Sequence, residues 1–216
     1  MYGIKIFKKL ASKKIYLIRH GETDFNKQGI VQGSGVDSSL NDTGRKQADA
    51  FFNKYKDTGF EKIYLSNLQR THQSVKRFLD LGIPFEKLEG LNEICWGTQE
   101  GKPNTAEGVA SYQDMLRKWQ DGLTDLRMEG GESPAEVAER QKPAWEKIIS
   151  GPEELILVCT HGRALRILLS WIMQRSLQLM DEFKHTNLGL YILEYKDDRY
   201  FIEAANDTSH LFHLSV

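Results

Sequence analysis

Apolar runs and amphipathic segments alternate along the chain, and each pair predicts a β-strand followed by an α-helix. Residues 14–18 form an apolar run flanked by loop signals, which is typical of a strand covered on both faces. After a long glycine-rich loop, Asn41 or Asp42 is placed to cap a helix that Gly59 ends. Residues 61–67 then predict a second strand.

Helix start signals continue through the middle of the chain. A second amphipathic helix follows residue 67 until a glycine and a proline stop it. Asn104 with Glu107, and Ser133 with Glu136, have the spacing of a capping box at the start of a helix. We expect Pro143 to kink or split the helix that follows Ser133, because proline cannot donate the backbone hydrogen bond.

The last third of the chain completes the predicted sheet. Residues 154–160 are a strand-like run that leads into a densely apolar helix over residues 161–173. The apolar runs 188–195 and 200–205 are separated by K-D-D-R, which predicts a tight hairpin. The pattern therefore predicts one α/β domain over residues 1–216, a three-layer sandwich with helices on both faces of a mostly parallel sheet that has an antiparallel edge.

Composition and charge narrow the classes of function. The formal net charge of −1, with 27% charged residues, gives no reason to expect binding to nucleic acid. The most apolar helix is interrupted by Arg166 and is too short to span a membrane, and the N-terminus lacks the apolar core of a signal peptide. Cys95 and Cys159 are too few for a disulfide framework. We therefore expect a cytoplasmic protein.

Candidate chemistry lies where the predicted strands end. Arg19 and His20 follow the first strand, His161 and Gly162 follow the third, and Arg70 starts the helix after the second. Because parallel strands present their carboxyl ends at one edge of a sheet, these side chains should converge there. Such a concentration of positive charge is costly without an anion, and phosphate suits arginine forks and histidine. The glycine after His20 would let a phosphoryl group approach the backbone.

Each candidate also has an ordinary structural explanation. Arg70 alone would be a solvated helix arginine, and His185 alone would cap the edge strand. Trp96 could line a pocket or pack in the core. His210 and His213 form a terminal pair with little indication of metal binding.

Five segments taken in order resemble the motifs of one enzyme family. The segments LIRHGETDFN, SNLQRTHQS, LNEICWGTQEGK, GGESPAEVAER and THGRALR are similar to those of the histidine phosphatase superfamily, also called phosphoglycerate mutase-like. The similarity runs from residue 15 to about residue 187. It is nearest to the broad-specificity phosphatase branch, although the W-G-T-Q-E-G segment departs from the usual pattern and leaves the substrate open.

The resemblance implies roles for individual residues. His20 matches the nucleophile that carries the phosphoryl group as a phosphohistidine, and His161 matches the second histidine, which steadies that group. The residues expected to bind the phosphate are Arg19, Arg70, Asn26 and Gly162. We expect no metal ion and no cofactor, because arginines can supply the positive charge.

Proton transfer and the substrate pocket complete the expected site. Glu93 falls where the family has its acid, and one carboxyl group there could protonate the leaving alkoxide and later deprotonate water. Glu22, nearer to His20 in the chain, is the second choice for this role. The further residues expected at the substrate pocket are Glu22, Thr23, Trp96 and Asn187.

Three classes of function stay open on this evidence. A phosphomonoester hydrolase acting on a small phosphorylated metabolite is favoured, because the interval from Glu93 to Ser133 is compact. A phosphoglycerate mutase-type transferase is the first alternative. A phospho-ligand binding module without turnover is the second, and the sequence gives no indication of the oligomeric state.

Overall fold

A six-stranded mixed sheet forms the centre of the computed structural model, which describes residues 12–103 and 105–214. Its strands are β1 (Lys13–Arg19), β2 (Lys62–Leu65), β3 (Phe85–Lys87), β4 (Leu155–Thr160), β5 (Leu190–Lys196) and β6 (Arg199–Asp207). The spatial order is β3-β2-β4-β1-β5-β6. The first four strands of this order are parallel, and β5 and β6 run antiparallel to their neighbours. The predicted fold class is therefore confirmed.

Helices cover both faces of the sheet. They are α1 (Asp24–Gln28), α2 (Asp42–Tyr55), α3 (Gln69–Asp80), α4 (Ala106–Gln120), α5 (Pro134–Ser150) and α6 (Gly162–Ile172). Apolar side chains of α5 and α6 pack on one face of β1 and β4, and those of α2 and α3 pack on the other. Because β1 and β4 bury side chains on both faces, their sequences are continuously apolar rather than alternating.

Helix starts and the hairpin agree with the sequence signals. The Asn41 side chain caps α2, and Ser133 with Glu136 forms the capping box of α5. The turn between β5 and β6 has positive φ at both Asp197 and Asp198, as a two-residue type I′ hairpin requires.

Two expectations about elements need correction, and two short elements were not foreseen. Pro143 does not split α5, which continues to Ser150, since its buried apolar face holds it against α6. Thr105 caps α4, and the expected cap Asn104 lies outside the described residues. The short strand β3 and the single-turn helix α1 were not predicted, because three to five residues carry too little periodicity to be recognised.

None of the described helices is long and apolar enough to cross a membrane.

Gly44 allows α2 to touch the loop after β1, and this contact can be tested. A Cβ at Gly44 would lie 2.1 Å from the Glu22 carbonyl oxygen. Gly108 occupies the same third position of α4, but its Cβ would meet only the Thr105 hydroxyl oxygen at 3.2 Å and the end of another side chain. Gly44→Ala should therefore lower the free energy of unfolding by about 2 kcal/mol or more, measured by urea titration.

Gly108→Ala is the matched control for this substitution. It should change the free energy of unfolding by less than about 1 kcal/mol, because alanine gains helix propensity without a backbone clash. Equal effects of the two variants would contradict the proposed role of the contact between Gly44 and Glu22.

Candidate active site

The histidines that follow β1 and β4 lie side by side at the carboxyl edge of the sheet. Arg19 pairs with Thr160 in these adjacent parallel strands, so both strands end at the same level. The His20 N–H donates to the Thr160 carbonyl oxygen at 3.0 Å, and the ring centroids of His20 and His161 are 5.1 Å apart. The two histidines that were expected to converge are therefore neighbours.

The His20 ring is neutral and presents an unprotonated nitrogen. Its Nδ1 lies 2.7 Å from the Gly21 carbonyl oxygen, which can only accept, so Nδ1 carries the hydrogen. Burial lowers the pKa of His20 well below its ordinary value, and the charges of Arg70 and Arg19 lower it further. Nε2 has no hydrogen-bond partner within the described part of the chain, and its lone pair is therefore available to a ligand.

His161 is fixed by partners on both nitrogens. The Arg70 Nε–H donates to His161 Nδ1 at 3.1 Å, so Nε2 carries the hydrogen and donates to the Ser66 hydroxyl oxygen at 2.8 Å. Burial, then the charge of Arg70, lowers the pKa of His161 well below its ordinary value. The ring is fully buried, and an anion that contacted it would replace one of these two partners.

Arg19 and Arg70 place positive charge beside these rings without an acidic partner. The Arg70 side chain is fully buried, and its two terminal nitrogens donate to the carbonyl oxygens of Val36 at 2.7 Å and Gly33 at 3.1 Å. Arg19 donates from Nη1 to the Nδ1 of His185 at 3.2 Å, whereas its buried Nε has no partner. Neither arginine forms an ion pair with any described residue. Burial lowers the pKa of Arg19 to about 10, which still leaves it charged.

Glu93 is tied to the N-terminus of α6. Its Oε1 accepts from the N–H groups of Ile94 at 2.9 Å and Ala164 at 2.8 Å, and its Oε2 accepts from the Arg163 N–H at 3.1 Å. The carboxylate therefore caps the helix although it lies far away in sequence. Gly162, the first residue of α6, lines the same cavity as Glu93.

Two glycines at the strand ends have different reasons to be glycine. A Cβ at Gly21 would lie 2.7 Å from the Gly44 carbonyl oxygen, so Gly21 allows the contact with α2. The expectation that it also makes room for a phosphoryl group stays a prediction. A Cβ at Gly162 would lie 2.8 Å from the His185 ring and 3.4 Å from the Arg19 Nε, so Gly162 gives room to those two side chains.

A cavity of about 290 Å³ opens at this edge of the sheet. Basic and aromatic side chains from β1, α4 and α6 form much of its wall. Its lining residues are Arg19, His20, Asn26, Gly29, Ile30, Val31, Gln32, Glu93, Trp96, Tyr112, Gly162, Arg163, Arg166 and His185.

Two predicted amides lie next to His20. The Asn187 side-chain nitrogen donates to the His20 carbonyl oxygen at 3.0 Å and to the Asn26 side-chain oxygen at 3.2 Å. Asn26 lines the cavity, whereas Asn187 holds Asn26 and the His20 backbone from the side. The structure therefore places Asn187 beside the pocket rather than in its wall.

Of the other expected pocket residues, only Trp96 lines the cavity. Its ring also packs in the core, with its centre 5.3 Å from that of the Trp119 ring, so both roles expected for Trp96 are present. Thr23 is buried as the cap of α1. Glu22 accepts a hydrogen bond from the Asn41 side chain and does not line this cavity.

His185, Gln32, Tyr112 and Arg166 are among the residues of the cavity wall that were not expected there. His185, expected to cap the edge strand, contacts Arg19 because the loop before β5 passes the end of β1. Gln32 lies in the long loop, Tyr112 on α4 and Arg166 on α6. None of these positions follows a strand end, which was the signal used to find the other residues.

Comparison with known proteins identifies the family. The family model described as "Histidine phosphatase superfamily (branch 1)" matches residues 15–208. The chain belongs to the histidine phosphatase superfamily. Membership in this superfamily makes it an enzyme of the phosphatase type with a histidine nucleophile, as the sequence motifs predicted.

Individual members of the histidine phosphatase superfamily resemble the chain over nearly its whole length. A protein named "Probable phosphoglycerate mutase GpmB" from Yersinia enterocolitica is 30% identical over 206 residues, 92% of this chain and 94% of the relative. The structure of Bacillus stearothermophilus YhfR is 26% identical with a TM-score of 0.79, covering 92% of this chain and 99% of the other. Mycobacterial glucosyl-3-phosphoglycerate phosphatase, at 20% identity, shares the fold with a TM-score of 0.79, over 91% of this chain and 100% of the other.

Buried neutral histidines should make the stability of this protein depend on pH. Burial lowers the pKa of five histidines: His20, His72, His161, His185 to about 2 and His210 to about 4. Below the ordinary value of 6.5 the unfolded chain binds protons that the folded chain does not. The free energy of unfolding should therefore fall as the pH drops from 7 to 5, by up to about 1.4 kcal/mol per pH unit for each histidine, in urea titrations.

His210→Phe isolates one contribution away from the cavity. His210 packs against the rings of Phe51 and Tyr55, where phenylalanine can replace it. Between pH 6.5 and 5 the free energy of unfolding should fall less steeply for the variant than for the parent. The difference in slope should be up to about 1.4 kcal/mol per pH unit, the contribution of one histidine. An unchanged slope would show that His210 does not remain neutral in the folded protein.

Proposed function

We propose that this protein hydrolyses phosphomonoesters of small metabolites through a phosphohistidine on His20, without a metal ion. The observation that carries the proposal is a pair of guanidinium groups that have no acidic partner, those of the fully buried Arg70 and the half-buried Arg19. They lie beside a neutral imidazole with a free lone pair. A phosphoryl group supplies the missing negative charge and the electrophile in one ligand.

The first step transfers the phosphoryl group to the protein. His20 Nε2 attacks phosphorus, the P–N bond forms, and the bond from phosphorus to the ester oxygen breaks. Glu93, which lines the same cavity, gives a proton to the departing alkoxide. We infer that Arg19, Asn26 and Gly162, which line the cavity, contact the transferring oxygens. The sequence motifs assign His161 and Arg70 to the same group, and His161 would exchange one of its present partners for a phosphoryl oxygen.

The second step returns the protein to its starting state. Water attacks phosphorus, Glu93 takes its proton, and the P–N bond breaks to release inorganic phosphate and neutral His20. The fixed position of Glu93 supports its use in both steps, because three backbone N–H groups orient its carboxylate. Glu22 is less suited to proton transfer, because it points towards α2.

The charge of the two arginines supports a reaction without a metal ion. In phosphoryl transfer, catalysis consists mainly of positioning and of neutralising charge on the equatorial oxygens. Guanidinium groups that are wholly or partly buried do this more strongly than groups in bulk water, because the local dielectric is lower.

A small substrate suits the cavity. Its volume of about 290 Å³ is at the lower end of ordinary ligand pockets. Proteins of the same fold include a glucosyl-3-phosphoglycerate phosphatase and a phosphoserine phosphatase studied with 3-phosphoglyceric acid. We propose a small phosphorylated metabolite as substrate, and a cytoplasmic location, which the two unpaired cysteines support.

Mutase activity is the second candidate, because the Yersinia relative is named a probable phosphoglycerate mutase. A mutase would return the phosphoryl group of His20 to the organic product instead of to water. Hydrolysis is favoured because the interval from Glu93 to Ser133 is short, which leaves little chain to enclose the substrate.

Removing the nucleophile tests the central step. His20→Ala should lower kcat for an aryl phosphate, assayed with EDTA, by about 10⁴-fold or more, because no other group can form the intermediate. The matched control is His72→Ala on α3, away from the cavity, which should stay within a few-fold of the parent. Labelled substrate should leave an acid-labile, alkali-stable phosphoryl group on the parent and none on His20→Ala.

Turnover retained by His20→Ala would refute the assignment of the nucleophile. Tight phosphate binding without turnover on a broad panel of esters would show a binding module instead. Rapid formation of 2-phosphoglycerate from 3-phosphoglycerate and 2,3-bisphosphoglycerate would show a mutase.

The acid role of Glu93 predicts a dependence on the leaving group. Glu93→Gln should slow alkyl phosphates far more than aryl phosphates, by about 10²-fold or more, because only the alkoxide needs a proton to leave. The measurement is kcat/KM for matched alkyl and aryl esters. Equal slowing of both classes would remove Glu93 from the acid role.

A further inference from the structure

Two arginines of α6 share one carboxylate at the wall of the cavity. Arg163 Nη1 and Arg166 Nη1 lie 2.7 Å and 2.6 Å from the same oxygen, Oδ1 of Asp181. The other oxygen of Asp181 accepts from the Gln120 side chain at 3.2 Å. One carboxylate thus faces two guanidinium groups, which leaves one positive charge in excess.

No second acidic side chain pairs with these arginines within the part of the chain that the structure describes. Glu93 is close by, but its oxygens accept from backbone N–H groups rather than from either guanidinium. Burial opposes ionisation of Asp181, yet the charges of Arg163 and Arg166 hold its pKa below the ordinary value. The excess charge therefore persists at neutral pH.

Both arginines are held in place by other contacts. The Arg163 guanidinium lies 5.5 Å from the centre of the Trp119 ring and 5.9 Å from that of Trp96. Arg166 donates from Nε to the Phe183 carbonyl oxygen at 3.1 Å. Each arginine keeps its Nη2 group without an acceptor among the described residues, and both side chains line the cavity that holds Arg19 and His20.

We propose that Arg163 and Arg166 form a second anion subsite, which binds a carboxylate on the organic part of the phosphate ester. The inference rests on the proposed hydrolase function and specifies its substrates as small phosphorylated carboxylic acids. The phosphoryl group lies at His20 and Arg19, and the carboxylate lies on the α6 wall of the same cavity.

Charge and size favour a carboxylate over a second phosphate. A carboxylate has one negative charge, which matches the single excess positive charge of the two arginines and Asp181. A phosphate dianion would leave one negative charge uncompensated in a partly buried site. A cavity of about 290 Å³ also suits a short acid better than a bisphosphorylated sugar.

A pair of esters that differ only at the carboxylate tests the subsite. 3-Phosphoglycerate and glycerol 3-phosphate have the same phosphate and carbon chain, with a carboxylate replaced by a hydroxymethyl group. The parent protein should prefer 3-phosphoglycerate by about 10- to 100-fold in kcat/KM, the range expected for a charge-assisted hydrogen-bonded pair.

Variants assign this preference to the arginines. Arg166→Gln and Arg163→Gln should each reduce the ratio of the two kcat/KM values by about tenfold, mainly through KM for 3-phosphoglycerate. Arg166→Lys, which keeps the charge but not the fork, should give an intermediate ratio. Arg175→Gln is the matched control, because Arg175 pairs with Glu182 at the surface outside the cavity, and its ratio should equal that of the parent.

The outcomes separate the subsite from the proposed function. A ratio near one in an active parent protein, or a stronger preference for a bisphosphate, would overturn the subsite and leave the hydrolase intact. Absence of turnover on aryl phosphate and both esters would overturn the hydrolase. In that case the Kd values of 3-phosphoglycerate and glycerol 3-phosphate for His20→Asn, measured by calorimetry, test the subsite. Tighter binding of 3-phosphoglycerate by about tenfold or more would support it, and equal Kd values would refute it.

Discussion

The site depends on positive charge that the protein buries without neutralising it. Arg70 is fully enclosed and donates to two carbonyl oxygens and an imidazole, and Arg19 keeps a buried N–H without a partner. Leaving charged groups in this condition costs several kcal/mol of folding free energy, which the two-sided apolar core of the sheet offsets. In the proposed reaction a bound phosphoryl group would recover that energy, so the folded state would favour its binding.

The same charge also acts on the histidines. Burial opposes protonation of His20 and His161, and the nearby guanidinium groups act in the same direction. A neutral His20 keeps the lone pair that nucleophilic attack needs, whereas a protonated ring would bind phosphate without reacting. In the proposed reaction the two arginines would therefore act twice. They would bind the phosphoryl group, and they would help to keep the His20 nitrogen unprotonated.

The parts of the structure that were predictable from sequence are those fixed by local chemistry. Strand ends followed by histidine and glycine located His20 and His161, and capping patterns located the starts of α2 and α5. The contributions of His185, Gln32 and Tyr112 could not be foreseen, because they depend on how distant loops and α4 fold over the sheet edge. The split expected at Pro143 does not occur, because tertiary packing of α5 outweighs the single hydrogen bond that proline removes.

Glu93, the proposed acid, is bound to the N-terminus of α6. Three backbone donors converge on its carboxylate, two of them from the first turn of that helix. These bonds fix the carboxylate relative to the segment that bears Gly162 and Arg163, which line the same cavity. The proposed proton donor and one wall of the pocket are therefore held as a single unit, so a change that displaces the start of this helix would disturb both together.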